Sequence, residues 1–315
     1  MSGKLGVVMD PIGDIHIGKD TTFAMLLEAQ RRGYALYYME PGHLYGRDEV
    51  PWARRYPIEV QRDPGNHYRL GPAESGPLTD LDVVLMRKDP PFDMEYIYQT
   101  YLLERAQDRT LVVNDPGSLR DANEKMFTAY FPGLAPPTLV ARDARVIHDF
   151  LQEQEAIILK PLDARGGEGI FLVRRGDPNF NVAVETLTHR GTRFAMAQAF
   201  LPAAGEGDKR ILLVDGEPVP HGLLRVPGGE DFRGNISAGA TTELAELTER
   251  DREICARIGP ELRRRGLLFV GIDVIGGYVT EINVTSPTGV QELDYYAGTN
   301  ICGDLFDAVE RRLGA

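Results

Sequence analysis

The chain has few of the features that mark secreted or membrane proteins. Among its 315 residues there are two cysteines, Cys255 and Cys302, which cannot form a disulfide framework and give no sign of an oxidising compartment. No stretch approaches the roughly 20 apolar residues that a membrane span needs, and the apolar run within residues 1–10 is too short for a signal peptide. We therefore expect a cytoplasmic protein with no membrane partner.

Positive charge is scarce as well. Lysine and arginine total 35 against 47 aspartates and glutamates, a formal net charge of −12. This balance argues against a nucleic-acid partner, because phosphate backbones attract basic surfaces. The six histidines are scattered, without the close pairings that zinc sites show. Basic residues that do cluster in so acidic a chain therefore require a local reason.

The amino-terminal part follows a strand–helix–strand pattern. Residues 5–9 and 34–39 are short apolar runs, and between them Asp20 can cap a helix over residues 21–32. A βαβ unit of this kind predicts a parallel sheet with crossover helices. The turn at residues 10–18 lacks the close glycine triplet of a dinucleotide-binding fold, which argues against a nicotinamide oxidoreductase.

The length exceeds what one compact core usually holds, so we expect two or three units. Turn-forming residues gather at 114–119, and beyond residue 136 short strands alternate with helices in the manner of a smaller α+β unit. Residues 42–77 are rich in Gly, Pro and Arg and give no periodic signal. We predict boundaries that divide the chain into residues 1–120, 121–201 and 202–315.

The strongest local signal is a glycine-rich segment at residues 158–169, Ile-Leu-Lys-Pro-Leu-Asp-Ala-Arg-Gly-Gly-Glu-Gly. It is not a P-loop, because no Gly-Lys-Ser/Thr follows and apolar strands flank it on both sides. The pattern instead predicts a flap at a hairpin tip, where glycines let backbone N–H groups approach phosphate oxygens. Lys160 supplies a point charge for a phosphate. The alternative is a plain flexible hairpin with a solvated lysine.

A second signal is acidic. Asp273, Glu281 and Asn283 lie within otherwise apolar strands at residues 269–284, where a charge is costly unless it is compensated. Oxygen ligands of this kind suit Mg²⁺, which also binds nucleotide phosphates. The alternative is a solvated hairpin at a sheet edge.

The metal interpretation depends on the register of this hairpin. A strict two-residue turn at Gly276 and Gly277 places Glu281 on the face opposite to Asp273. A three-residue loop, or a bulge with the same effect, pairs the two carboxylates and puts Asn283 on their face. We predict one of these two arrangements.

The third group is basic and lies in a glycine-rich stretch. Arg210, Arg225 and Arg233 carry forked guanidinium groups that hold carboxylates and phosphates. The stretch is typical of a lid over an anionic substrate, and a solvated loop is the alternative. Lys125 can serve as a second phosphate lysine or lie in solvent. No Ser-His-Asp or Cys-His arrangement is evident, which fits direct phosphorylation of a substrate carboxylate.

With these residues assembled, the chain resembles the ATP-grasp superfamily and, within it, the bacterial glutathione synthetases. The resemblance runs nearly end to end. It rests above all on two specific motifs, Met-Arg-Lys-Asp-Pro-Pro-Phe-Asp at 86–93 and Thr-Glu-Ile-Asn-Val-Thr-Ser-Pro-Thr at 280–288. Further matching segments lie at residues 6–11, 23–33, 118–121, 123–125, 207–210 and 214–220.

The resemblance implies an ATP-grasp fold behind a Rossmann-like amino-terminal domain, with ATP and Mg²⁺ (or Mn²⁺) as cofactors. The metal ligands it implies are Asp273, Glu281 and Asn283. The ATP-binding residues it implies are Lys125, Lys160, Gly166, Gly167, Gly169, Gln198, Ala199, Phe200, Leu201 and Asp208.

The resemblance also implies the substrates. Family members join γ-glutamylcysteine to glycine with ATP, usually as homotetramers. The implied catalytic residues are Arg210, Arg225 and Arg233, and the implied substrate-binding residues are Arg87, Asn235, Ser286, Pro287 and Thr288. Two alternatives are another ATP-grasp peptide ligase, such as a D-alanine–D-alanine or glutamate-adding enzyme, and a nucleotide-binding regulatory protein without catalysis.

Overall fold

A computed structural model describes residues 3–164, 166–228 and 240–314, and within them three sheets follow one another along the chain. The helices of this part are α1 (Thr21–Arg31), α2 (Met94–Glu104), α3 (Pro116–Asp121), α4 (Ala144–Gln154), α5 (Phe180–Thr188), α6 (Glu249–Arg264), α7 (Val290–Ala297) and α8 (Ile301–Leu313).

The first sheet contains the expected parallel strands. Its order is β3-β4-β2-β1-β7-β8, in which β2, β1, β7 and β8 run parallel and β4 runs antiparallel to β2. Helix α1 begins at Thr21 because the carboxylate of Asp20 accepts a hydrogen bond from the N–H of Phe23 at 2.6 Å. The strands are β1 (Lys4–Val8), β2 (Ala35–Met39), β3 (Leu44–Arg47), β4 (Val50–Val60), β5 (Tyr68–Leu70), β6 (Glu74–Pro77), β7 (Val83–Met86) and β8 (Leu111–Val113).

The second sheet is antiparallel, with the order β11-β10-β12-β9. Helices α4 and α5 pack against it, and Ile147, Leu151 and Val184 contribute to their shared core. The pairing of Leu159 with Phe171 makes β10 and β11 a hairpin, so the glycine-rich loop does lie at a hairpin tip. The strands are β9 (Thr138–Ala141), β10 (Ala156–Pro161), β11 (Phe171–Arg174) and β12 (Ala195–Ala199).

The third sheet carries the acidic hairpin. Its order is β16-β15-β13-β17-β18, with β14 paired to β13, and helix α6 packs on β14. All these pairs are antiparallel. The strands are β13 (Asp208–Val214), β14 (Glu217–Pro218), β15 (His221–Val226), β16 (Thr241–Glu246), β17 (Phe269–Ile275) and β18 (Tyr278–Asn283).

The hairpin between β17 and β18 confirms the predicted register through a bulge. Gly276 and Gly277 form a two-residue turn, with φ angles of 55° and 79° that favour glycine at both positions. The register then shifts between Asp273 and Val274, so that Asp273 pairs with Glu281. The bulge alternative is therefore confirmed, and the three-residue loop is wrong.

Two regions differ from the sequence-based expectation. Residues 42–77, which gave no periodic signal, contain β3 to β6. The turn-rich segment at 114–119 holds helix α3, whose first turn is capped when the Asp115 carboxylate accepts from the N–H of Ser118.

The last helix returns to the beginning of the chain. Helix α8 packs on α1, and the guanidinium of Arg32 donates to Asp307, Glu310 and the carbonyl of Gly303. No helix within the described residues combines the length and the apolar character needed to cross a bilayer.

Candidate active site

A cleft separates the second sheet from the third. One wall comes from β10, β12 and the glycine-rich loop, and the other comes from β13, β17 and β18. Apolar side chains, among them Ile158, Ile170 and Ile275, line part of it. The cleft also brings together many of the predicted site residues, namely Lys125, Lys160, Gly166, Gly167, Gln198, Ala199, Phe200, Leu201, Asp208, Asp273 and Glu281.

Two buried lysines meet one carboxylate in this cleft. The Nζ atoms of Lys160 and Lys125 lie 3.6 Å and 3.8 Å from Oε1 of Glu281. Lys160 also donates to the carbonyl of Thr280 at 3.1 Å, and Lys125 donates to the carbonyl of Ala164 at 2.8 Å. Burial lowers the pKa of Lys160, although the charge of Glu281 opposes this shift. Lys125 is therefore not a solvated lysine but part of the site.

Strand register explains the cluster of charges beside these lysines. Arg210 on β13 pairs with Asp273 on β17, and Asp273 pairs in turn with Glu281 on β18. Asp208 is two residues before Arg210, on the same face, and pairs with Arg225 on β15. Arg210 and Arg225 thus share one face of the third sheet with the three carboxylates, because side chains on that face repeat every second residue.

The two arginines bind the same carboxylate. Arg210 donates from Nε to Oδ1 of Asp273 at 2.5 Å and from Nη2 to Oδ2 at 3.0 Å. Nη2 of Arg225 lies 3.0 Å from Oδ1 of Asp273 and donates to Oδ2 of Asp208 at 2.5 Å. Gly271 leaves room for this arrangement, since a Cβ there would lie 3.0 Å from Cδ of Arg210.

The pKa values of the two aspartates diverge. Burial opposes the ionisation of Asp273, but the charges of Arg210 and Arg225 prevail and hold its pKa well below the usual range. Burial raises the pKa of Asp208 to about 6, with Arg225 offsetting only part of the effect. Oδ1 of Asp208 and Nε of Arg225 are buried without a hydrogen-bond partner among the described residues. Such unsatisfied atoms are costly, and they are typical of a site that receives a polar ligand.

Glu281 and Asn283 can hold a metal ion together with Asp273. The side chain of Glu281 is 23% exposed and lines the cleft. Nδ2 of Asn283 donates to Oδ2 of Asp273 at 3.3 Å, which leaves its amide oxygen for a cation. No group of three or more His, Cys, Asp or Glu side chains in the described ranges is arranged to hold a metal. The candidate ligands are therefore two carboxylates and one amide, all oxygen donors.

The glycine-rich loop adopts the backbone conformation for which its glycines are suited. Gly166, Gly167 and Gly169 have φ angles of 64°, 81° and 67°. Gly169 does not line the cleft but lies against β10, where a Cβ would be 3.3 Å from Cγ of Pro161.

Residues 198–201, at the end of β12 and just beyond it, line one end of the cleft. The side chain of Gln198 is buried and donates to the hydroxyl of Thr138 at 3.1 Å. The N–H of Phe200 donates to the carbonyl of Ala156. Ala199 and Leu201 complete this edge.

Of the predicted substrate-binding residues, the four that the structure describes lie beside the charge cluster: Arg87, Ser286, Pro287 and Thr288. Arg87 is buried after β7 and donates to the carbonyl of Pro287 at 3.0 Å. Nη1 of Arg210 donates to the carbonyl of Thr288 at 3.3 Å, which joins this turn to the cluster. The hydroxyl of Ser286 donates to Oδ1 of Asp89 at 2.5 Å. Arg87 and Asp89 follow a parallel strand, and the carboxyl ends of such strands are where ligands bind in α/β sheets.

Some residues were predicted but not placed, and one was missed. Arg233 and Asn235 lie outside the described residues. Glu124 was not predicted, yet its carboxylate is buried and accepts hydrogen bonds from Thr285 and from the N–H of Val284. Burial raises its pKa, against the opposing effect of these donors. Its sequence signal is its place beside Lys125, within the matching segment at residues 123–125.

Comparison with known proteins decides the family. The family model for the prokaryotic glutathione synthetase N-terminal domain matches residues 4–120, and the model for the ATP-grasp domain of the same enzymes matches residues 124–298. The chain belongs to the prokaryotic glutathione synthetase family. It is thus an ATP-dependent ligase of glutathione biosynthesis, as the sequence motifs predicted.

Relatives within this family match along their whole length. The chain is 55% identical to the glutathione synthetase of Pseudomonas putida, with all of both chains covered, and 57% identical to that of Yersinia pestis, with 98% of both covered. Among solved structures, D-cycloserine synthetase DcsG has a TM-score of 0.65 at 16% identity, covering 98% of this chain and all of the other. D-alanyl-alanine synthetase A from Vibrio cholerae has a TM-score of 0.64 at 12% identity, covering 100% and 99%. These two likenesses confirm the ATP-grasp fold.

Proposed function

We propose that the protein joins γ-glutamylcysteine to glycine, using Mg-ATP to form an acyl phosphate. One observation carries the proposal. Two buried lysines and one carboxylate meet beneath a glycine-rich hairpin, next to a carboxylate held by two arginines. This arrangement suits a triphosphate on one side and an activated carboxylate on the other.

The proposed ATP site follows the cleft from end to end. Lys125 and Lys160 neutralise phosphate charge, and the loop covers the phosphates with the N–H groups of Gly166 and Gly167, while Gly169 sets the loop against β10. Asp208 accepts a hydrogen bond from a ribose hydroxyl through its buried Oδ1, which has no hydrogen-bond partner among the described residues. The main chain of Ala199, Phe200 and Leu201, beside Gln198, receives the adenine edge.

The residues at the metal position fit Mg²⁺. Asp273, Glu281 and Asn283 are hard oxygen donors on one sheet face, and Mg²⁺ prefers such ligands together with phosphate oxygens. A bound Mg²⁺ supplies positive charge against the oxygens of the transferred phosphoryl group. The solved ATP-grasp ligase PsnB, at 16% identity and a TM-score of 0.62, was obtained with Mg and ADP.

The arginines serve the acyl-transfer half of the reaction. A carboxylate oxygen of γ-glutamylcysteine bonds to the γ-phosphorus, and the bond from that phosphorus to the oxygen bridging to the β-phosphorus breaks, so that ADP leaves. The glycine amine then bonds to the acyl carbon, the bond from that carbon to the phosphate oxygen breaks, and the phosphate leaves with the proton that the amine loses. Arg210 and Arg225 stabilise the tetrahedral oxyanion.

The dipeptide lies between the amino-terminal sheet and the turn after β18. Arg87 fixes this turn through Pro287. The carbonyl of Thr288 lies beside Arg210, and the hydroxyl of Ser286 lies beside Asp89. A substrate carboxylate at this place is within reach of both the phosphates and the arginines.

An assay of ATP-dependent phosphate release tests the proposal. We expect release at full rate only when γ-glutamylcysteine and glycine are both present, with one product phosphate per peptide bond formed. Pairs of D-alanine or of glutamate with a peptide acceptor serve as the competing substrates. Release that is faster with either of those pairs would contradict the proposal.

The glycine-rich loop gives a further prediction. Gly169→Ala places a Cβ on a backbone with a φ of 67° and 3.3 Å from Pro161, which costs about 1–2 kcal/mol. We expect the KM for ATP to rise about tenfold. The control is Gly176→Ala, which has a φ of 83° but nothing within 4 Å of its Cβ, and which lies beyond the cleft. Equal KM values in the two variants would show that the loop does not cover ATP.

Three further features belong to the proposal. The protein is cytoplasmic, it takes no nucleic-acid or membrane partner, and it assembles as a homotetramer of a 35.0 kDa chain. Light scattering after size exclusion tests the assembly, with a species of about four times the chain mass expected at micromolar concentration.

A further inference from the structure

Glu124 gathers three hydrogen bonds on one carboxylate oxygen. Its Oε1 accepts from the N–H of Val284 at 2.9 Å, the N–H of Thr285 at 3.0 Å and the hydroxyl of Thr285 at 2.8 Å. These donors lie 160 and 161 residues further along the chain.

The donors need this acceptor because β18 is the edge strand of the third sheet and its pairing with β17 ends just before them. The last residue of β18 that pairs with β17 is Asn283, opposite Gly271. Val284 and Thr285 follow it and are buried. A buried N–H without a partner costs free energy comparable to a lost hydrogen bond. Glu124 therefore supplies the hydrogen-bond acceptor that a neighbouring strand would otherwise provide.

The main chain of Glu124 contributes a fourth contact. Its carbonyl accepts from the N–H of Ile282 at 2.8 Å. The residues on either side of Asn283, a candidate metal ligand, thus both donate to Glu124: Ile282 to its carbonyl and Val284 to its carboxylate. The next residue is Lys125, whose Nζ lies 3.8 Å from Glu281. One residue therefore connects the metal position, a phosphate lysine and the start of the turn that holds Ser286.

We propose that Glu124 is a positioning residue for the ligase reaction, fixing Asn283 and the substrate turn relative to Lys125. This inference rests on the proposed function. Its role requires an oxygen acceptor at this distance rather than a proton donor. Gln offers the same acceptor on a side chain of the same length, whereas Ala offers none.

The test compares Glu124→Ala and Glu124→Gln with the wild-type protein. Misplacement near the reacting groups lowers rates by about 10²-fold, and loss of a partner behind a metal ligand weakens metal binding about tenfold. We expect kcat/KM for γ-glutamylcysteine to fall about 100-fold in Glu124→Ala. Calorimetry should show that the gain in affinity for a non-hydrolysable ATP analogue on adding Mg²⁺ is about tenfold smaller. Glu124→Gln should stay within about threefold of wild type in both measurements.

Glu28→Ala is the matched control for general destabilisation. Glu28 is a buried carboxylate bound by Arg31 and Arg32 on α1, outside the cleft. Its loss should lower the melting temperature and leave the Mg²⁺-linked affinity within about twofold of wild type. If Glu124→Ala does not fold, Thr285→Val, which removes one of the three donors, should lower kcat/KM about fivefold, and Thr285→Ser should restore it.

The outcomes are distinct. Glu124→Ala within about threefold of wild type in both measurements overturns the positioning role, and so does Glu124→Gln as impaired as Glu124→Ala. Thr285→Val at wild-type kcat/KM overturns it where the alanine variant is unfolded. Wild-type protein that releases no phosphate with γ-glutamylcysteine and glycine contradicts the proposed function instead, and the calorimetric comparison still decides the role of Glu124.

Discussion

Replacing Lys160 with methionine is expected to lower kcat/KM for ATP by about 10³-fold. The side chain is buried at the end of β10, and its ammonium group lies 3.6 Å from Glu281. A fixed charge in such a site acts on developing phosphoryl charge without reorganisation, and the loss of one donor of this kind costs about 10²–10³ in rate. Methionine keeps the length and apolar stem of the side chain, so the measurement isolates the charge. Steady-state kinetics at varied ATP concentration give kcat/KM for ATP in the variant and in the wild-type protein.

Lys209→Met is the control for Lys160→Met. Lys209 lies on β13, donates to Asp251 at 2.6 Å and does not line the cleft. Its loss should reduce thermal stability while changing kcat/KM for ATP by less than about threefold. If Lys160→Met retained more than a tenth of wild-type kcat/KM, the assignment of Lys160 to the phosphates would be wrong.

Asp273→Asn is expected to impair both stability and catalysis. Its carboxylate is buried between Arg210 and Arg225, so the near-isosteric amide leaves two buried guanidinium groups without their shared counter-charge. Breaking a buried pair in this way costs about 3–5 kcal/mol. Removal of a metal-binding oxygen should also lower kcat at least about 10²-fold. Calorimetric melting without ligand and steady-state kinetics at saturating ATP measure the two effects.

The pH at which the melting of Asp273→Asn is measured follows from the direction in which the pKa of Asp273 is shifted. The pKa of Asp273 is held below its ordinary value of 3.8, so its contribution to stability is complete above that value and is lost only as the pH falls further. Melting at pH 7 therefore reports the whole contribution.

The control for Asp273→Asn is Asp251→Asn, which removes another buried carboxylate, one that caps α6 and pairs with Lys209. It should lower the melting temperature but leave kcat unchanged. An Asp273→Asn variant that melts at the wild-type temperature would contradict the account of the arginine pair.

Local signals in the sequence were sufficient for much of the fold. The helix expected over residues 21–32 is α1, which ends one residue earlier, because apolar residues at helical spacing follow a capping Asp20. The glycine hairpin was recognisable because two apolar strands flank it. The register of Asp273 and Glu281 was correctly expected from their shared chemistry, although the sequence did not distinguish a bulge from a longer loop.

Other features left little signal in the local sequence. Residues 42–77 form four strands, in which β3, β5 and β6 each pair with β4. The prolines and arginines of β4 obscure the alternation of apolar and polar residues that is typical of a strand. Glu124 acts on residues 160 positions away. The burial of Lys125 likewise arises from the packing of the cleft rather than from its neighbours in sequence.

The most direct test of the proposed acyl phosphate traces the oxygen atoms of the substrate carboxylate into the products. γ-Glutamylcysteine labelled with ¹⁸O in its cysteinyl carboxylate is incubated with the protein, ATP, Mg²⁺ and glycine, and the products are analysed by mass spectrometry. An acyl phosphate transfers one labelled oxygen to each phosphate released and leaves the other in the new peptide bond. We therefore expect singly labelled phosphate in equal amount to the tripeptide. Unlabelled phosphate, released while the tripeptide forms, would show that the carboxylate is not phosphorylated.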